Sequence, residues 1–338
     1  MDYVPKSLRI ASQKLSGFQR NRFRLENLGA SESGPGKICS VNLPSDCLID
    51  SQSIKLHADC LCTSSGTGAT QVHGRLPASS MSLISRLEVY VNGVAITQGA
   101  AEYNTICRML KIPRCSRDRD GSIERSLSHG AIVDGNGAEH ASLVFSNFPG
   151  VLSECAARYL PTHIMGNIQI RLTFADESVL VPRLAGSGSG IGTEIPAGDA
   201  ADAAALVSYS LSNMYWTVDT ISLEDEYDKM LRSRLQTDEF IELNYKEYLS
   251  FSNDGHAGGS HQTRFQLSTQ SLDRLYAVTR NGNYRTRGEG ASALPESVLT
   301  DNSFTANHFR FRSFDAVATR SGNVRTQWRI NNVLFPQA

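Results

Sequence analysis

At 338 residues, 40% of them hydrophobic, with a formal net charge of −1, the chain holds enough apolar material for one large core or two smaller ones. No run approaches the roughly 18 apolar residues of a membrane span, and "MDYVPKSLRIASQK" lacks the apolar centre of a secretory signal, so neither insertion nor export is expected. Seven cysteines, an odd number with no Cys-x-x-Cys pair, and no Asn-x-Ser/Thr sequon point to reduced thiols and assembly in a reducing compartment.

In chain order, residues 1–28 read as a basic arm. Lys6, Arg9, Lys14, Arg20, Arg22 and Arg24 stand against only Asp2 and Glu26. Leu8, Ala11, Leu15 and Phe18 fall at helical spacing, and "RFRLE" then alternates as an extended segment. From residue 29 to 221 the dominant period is two. "LEVYV" (87–91), "IQIRLTF" (168–174) and "MYWTV" (214–218) each place apolar residues on one face and polar ones on the other, which predicts half-buried strands. Turn signals separate them: Asn92-Gly93, Asp120-Gly121 and "DGNG" at 134–137 tolerate the positive φ of tight hairpins. Residues 185–205, "AGSGSGIGTEIPAGDAADAAA", are too small and polar to pack, and predict a long surface loop.

Helical periodicity is strong in "SLEDEYDKMLRSRL" (222–235). Leu223, Tyr227, Met230, Leu231 and Leu235 share a face, Ser222 can cap, and acids open the segment while arginines close it. Residues 236–338 return to alternation in "IELNY" (241–245), "FRF" (309–311) and "QWRI" (327–330), with turns at Asp254-Gly255 and Asn281-Gly282. The layout is an arm, a β-domain, a bridging helix and a second β-domain. Two internal echoes accompany it: "SLISRLEVYVNG" (82–93) resembles "SLDRLYAVTRNG" (271–282), and "VYVNGVAITQ" (89–98) resembles "WRINNVLFPQ" (328–337). The two registers are incompatible, and the sequence leaves the choice open. Charge is polarised as well: 176–228 holds ten carboxylates and one arginine, and 264–338 ten arginines and five acids. Arginine outnumbers lysine 26 to 7, which suits fixed, bidentate contacts with carboxylates.

No constellation makes a convincing reactive site. "GSGSGIG" (186–192) has neither the Lys-Ser/Thr of a P-loop nor a strand-to-helix setting. Cys60 and Cys62 with His57 and His73 lack the two close pairs of structural zinc, so a thiol-lined strand is expected instead. His256 and His261 lie on a glycine-rich loop. Glu224, Asp225, Glu226 and Asp228 are explained as helix-start acids, with no EF-hand spacing. The expectation is therefore no catalytic residue, no metal, no cofactor and no small-molecule substrate.

The segments "NLPSDCLID", "LHADC", "SLISRLEVYVNG", "EYNTICRML", "GNIQIRLTFAD", "YSLSNMYWTVDTISLEDEYDKML" and "QSLDRLYAVTRN" together resemble the double jelly-roll major capsid proteins of tailless icosahedral double-stranded DNA viruses, in the virophage and polinton-like branch of the adenovirus hexon lineage. That resemblance implies an all-β chain of two tandem jelly-roll β-barrels joined by a short helix: arm 1–28, first roll 29–221, bridge 222–235, second roll 236–338. It implies homotrimers with a pseudo-hexagonal outline that tile an icosahedral shell in the virion, assembled in the host cytoplasm or nucleus. Its partners would be its own copies and the penton and minor capsid proteins. The arm, through Lys6, Arg9, Lys14, Arg20, Arg22 and Arg24, would face the interior and touch a membrane, a minor protein or the genome. Leu223, Tyr227, Met230, Leu231 and Leu235 would wedge the helix between the barrels. The alternative is a tandem β-sandwich binding module, a lectin or adhesin. The second roll is expected to be incomplete at Ala338, the chain being a fragment of a longer protein, because either echo register leaves strands of the first domain without counterparts.

Overall fold

The structure is a computed structural model that describes residues 18–65, 72–76, 79–97, 101–111, 132–133, 139–185, 191–194 and 208–223, and beyond these 229–230, 232–233, 236–237, 243–251, 264–267, 269, 271–277, 328–330 and 333–335. The chain opens with β1 (Phe18–Glu26), β2 (Ile38–Asn42), β3 (Leu48–Asp50) and β4 (Lys55–Cys62). Short β5 (Ser64–Ser65) and β6 (Val72–Arg75) precede β7 (Ile84–Val91), β8 (Val94–Ala95) and helix α1 (Tyr103–Lys111). Then come β9 (Ile132–Val133), β10 (Glu139–Ser146), β11 (Tyr159–Pro161), α2 (Thr162–Met165) and β12 (Ile168–Phe174). The series continues with β13 (Val181–Ala185), β14 (Ile191–Glu194) and the 15-residue β15 (Tyr209–Leu223), and a hairpin of β16 (Trp328–Ile330) and β17 (Val333–Phe335) stands near the end.

Two antiparallel sheets face each other. In one the order is β1-β15-β4-β10, with β3 continuing the line of β4 along β15 and β9 and β11 at the margins. In the other it is β2-β12-β7-β8. Taking the eight principal strands in chain order, the first sheet reads 1-8-3-6 and the second 2-7-4-5. That order is a jelly roll: apart from the 4–5 hairpin, neighbours in sequence alternate between sheets, and the last strand returns beside the first. A four-stranded ribbon, β14-β13-β6-β5, flanks the sandwich.

Period-two sequence explains the core. Ile168, Ile170, Leu172 and Phe174 of β12 face Leu56, Ala58, Cys60 and Cys62 of β4 across the interior, and all are buried. On β15 the phase changes midway. Tyr209 and Leu211 point inward, then Met214, Trp216 and Val218 do, because a bulge between Ser212 and Tyr215, with Asn213 at φ 51°, inserts one residue. Asn92-Gly93 turns the β7–β8 hairpin with φ values of 49° and 81°, as its sequence predicts.

Several expectations change. The first roll begins at Phe18 rather than at residue 29, because the second half of the arm is strand β1, paired over its whole length with β15. Ser222 and Leu223, read as the start of the bridging helix, pair instead with Gln19 and Phe18. Among the described residues that follow, 229–230, 232–233 and 236–237 are helical, and Met230 is 55% exposed. Tyr227, Leu231 and Leu235 lie outside the described residues. A second helix, α1, was not read from the sequence, although Tyr103, Ile106, Cys107 and Leu110 recur at i, i+3, i+4 and i+7 and all four are buried. Thr, Asn and Cys weaken its propensity, and packing on β7 supplies what propensity does not. Leu243 and Tyr245 of "IELNY" are not in a strand. Both pack against the core of the first roll, where Asn244 accepts a backbone hydrogen bond from Ala156 (2.8 Å) and the Tyr245 hydroxyl donates to Ile96 (3.0 Å). The second copy of the echo, 271–277 as far as it is described, carries no regular secondary structure.

Candidate functional site

Apolar side chains of the described residues line the sandwich interior. Trp216, Tyr209, Phe145, Phe148 and Phe174 are its largest fully buried side chains, and Phe148 lies 6.1 Å from Trp216 between ring centroids. Cys60 and Cys62 belong to this core, whereas His57 points to the opposite face of β4, so alternation separates the thiols from the imidazole. Cys39 is likewise buried; burial pushes its thiol up to about 11, and Sγ donates to Oδ1 of Asn27 at 3.2 Å. Among the described residues no cluster of His, Cys, Asp and Glu has the arrangement of a metal site, and no helix is long and apolar enough to cross a membrane.

Chemistry concentrates on the outer face of the first sheet. Arg20, Arg22 and Arg24 of β1 point outward there, as do Lys55 and His57 of β4 and Tyr215, Thr217 and Asp219 of β15. Two carboxylates are sunk in this face, with Asp50 and Asp219 side chains 2% and 6% exposed. Arg22 binds Asp219 with both Nε (2.7 Å) and Nη2 (3.2 Å), and Arg158 binds Asp50 through Nε (3.1 Å) and Nη2 (2.8 Å). Arg20 bridges them, 2.6 Å from Asp219 and 3.7 Å from Asp50. Buried carboxylates need such partners, because an unpaired charge there would be costly. The guanidinium groups themselves stay 51–71% exposed. With Lys55, Gln52 and Ser53 they line an open groove of about 420 Å³. Four cations against two carboxylates leave it positive.

The electrostatics follow from these contacts. The hydrogen bond from Arg22 holds the Asp219 carboxyl below its usual range, with Arg20 adding to the effect. Burial, then the positive charges of Lys55 and Arg22, lower His57, so its imidazole is neutral near pH 7. It stacks on Tyr215 at 4.8 Å, with Nε2 3.1 Å from Oγ1 of Thr217, and Arg24 lies 4.2 Å over the same Tyr215 ring. Carboxylates so paired with guanidinium groups are poor bases. The ion pairs of this face tie β1, β3 and β15 together, and its net charge is positive.

Of the residues predicted for an interior-facing arm, Arg20, Arg22 and Arg24 are therefore brought together on this face, and Lys6, Arg9 and Lys14 lie outside the described residues. The buried acids and Arg158 were missed. Only the pairing of β15 with β1 and β3, and of β3 with β11, brings them into one place.

No family model matches the chain, and no curated protein does. Among solved structures it is similar to the Faustovirus major capsid protein, at 9% identity and a TM-score of 0.37, over 64% of this chain and 56% of that one. It is also similar to a chain of the PBCV-1 virus capsid (17%, TM-score 0.35, 64% and 44%) and to one of the Sputnik virophage (10%, TM-score 0.33, 62% and 48%). The chain spans about half the length of each of these. What its own strand order establishes is an all-β chain whose described residues 18–223 fold as a jelly roll.

Proposed function

We infer that this chain is a viral major capsid protein, which trimerises into pseudo-hexagonal capsomers of an icosahedral shell. The observation that carries the reading is the 1-8-3-6 and 2-7-4-5 strand order, a jelly roll, in a sequence whose segments between residues 42 and 281 resemble double jelly-roll capsid proteins. A jelly roll can also house an enzyme or a sugar site. Here apolar side chains occupy the interior, and the charged features lie on outer faces and edges, where they serve contact between molecules. The role is structural, in the virion. In this reading the second barrel comes from 236–338 apart from the described residues 243–245, which pack on the first roll, and Lys6, Arg9 and Lys14 reach towards the shell interior. Penton and minor capsid proteins complete the shell around it.

Light scattering on a size-exclusion column, with negative-stain microscopy, tests the reading. Three copies per particle and hexagonal outlines are expected; a monomer at physiological salt overturns it.

A further inference from the structure

Strand β1 pairs with β15 along one side, and among the described residues no strand pairs with its other side. An edge strand turns the N–H and C=O of alternate residues outward, where another strand can be added. Edges of this kind are usually blunted by proline, a bulge, shortness or charged side chains, and of these β1 has the charges, which repel a second copy of itself but not an acidic strand. β1 is nine residues long, has no proline, and runs in unbroken register from Phe18 to Glu26. Its two faces carry different chemistry. The outer face presents Arg20, Arg22 and Arg24 at every second position, with side chains 53%, 71% and 64% exposed. The other presents Phe23, 45% exposed, and Leu25, packed on the core margin. Asp219 and Asp50 satisfy part of each guanidinium at positions 20 and 22, and the remaining surface stays positive.

We propose that β1 is a docking edge for an extended peptide segment of a partner protein, acidic at alternate positions and apolar between them. Added antiparallel to β1, such a strand sets its carboxylates beside Arg20, Arg22 and Arg24, and its apolar side chains cover Phe23 and Leu25. Residues directly opposite across two strands lie about 5 Å apart, so the alternation specifies both the partner's sequence pattern and its register. A one-residue slip would put carboxylates on Phe23 and apolar groups among the arginines. The proposal rests on the geometry of the first roll and stands or falls independently of the trimer.

The test uses the full chain and a fluorescent peptide, acetyl-Glu-Val-Glu-Val-Glu-Val-Glu-amide, followed by anisotropy. Binding that weakens as salt rises is expected, together with slowed amide hydrogen exchange in residues 18–26. Arg24→Glu should weaken it by about tenfold, through like charge opposite the peptide, and Arg24→Lys should restore most of it. Arg24 is suited to the purpose because it pairs with exposed Glu26 and leaves both buried carboxylates with their partners; an unchanged melting temperature verifies the fold. Three results overturn the proposal: no binding, equal binding of a peptide with the same residues in two blocks, or indifference to Arg24→Glu. Tighter binding of an oligothymidylate overturns it too, and reassigns the arginine row to a phosphate backbone.

Discussion

At the scale of single residues, two polar knots tie the jelly roll together. Asp219 is the first, with Arg22 and Arg20 on its carboxylate and its backbone N–H donating to Oγ of Ser53 at 2.8 Å. Asp219→Asn keeps the shape and removes the charge, and should cost about 1–3 kcal/mol at pH 7 by urea unfolding. Because the folded carboxyl is held below its ordinary value, this stabilisation is fully present above the unfolded carboxylate range and is lost as pH falls through the folded value. The wild-type advantage over Asp219→Asn should therefore shrink as the solution is taken to about pH 3, and an advantage independent of pH would exclude the charge as its source. Asn27 is the second knot. Its Oδ1 accepts from Nε1 of Trp216 (2.8 Å) and from Sγ of Cys39, joining the end of β1 to both sheets. Asn27→Leu leaves a buried indole N–H without its acceptor and should cost about 1–3 kcal/mol in the same measurement.

At the scale of elements, hairpin and helix end are locked by one contact. Asn92, in the β7–β8 turn, donates from Nδ2 to the Met165 carbonyl (2.8 Å) and accepts at Oδ1 from the Asn167 N–H (3.0 Å). Gly166 lies beneath it at φ 84°, where a Cβ would stand 2.2 Å from that Oδ1. Gly166→Ala should therefore destabilise by about 1–3 kcal/mol, from backbone strain and the clash together. In an Asn92→Ala background the clash is gone and only the strain remains, so the cost should fall; strict additivity in a double-mutant cycle would refute the contact. Strand β1 acts at this scale too. A chain starting at Leu28 would expose the β15 edge and strip Asp219 of both guanidinium partners, and its loss of cooperative melting is expected by circular dichroism.

At the scale of the whole molecule, charge is distributed unevenly along the chain. If carboxylates of 176–228 in one copy meet arginines of 264–338 in the next, particle mass by light scattering should fall as salt is raised, since exposed pairs are screened within about 10 Å at 0.1 M. A mass indifferent to salt would place assembly on apolar contacts. Part of the arginine excess has a different use, since Arg20, Arg22 and Arg158 answer carboxylates of their own chain.

What the sequence determined by itself was local and periodic. Alternation in "IQIRLTF" fixed a strand with one buried face, Asn92-Gly93 fixed a hairpin, and the spread of such segments fixed an all-β chain, because each of these follows from backbone geometry within a few residues. Tertiary structure alone decided which strands are neighbours. "FQRNRFRLE" reads equally well as a solvated arm or as a strand, and becomes a strand because β15, nearly 200 residues later, offers an edge with Asp219 opposite Arg22. In the same way "IELNY" alternates like a strand, yet its described residues 243–245 lie along the first roll outside any strand. The basic face exists only where β1, β3, β4, β11 and β15 converge, since charges far apart in sequence attract only once hydrophobic pairing has fixed the sheet that carries them.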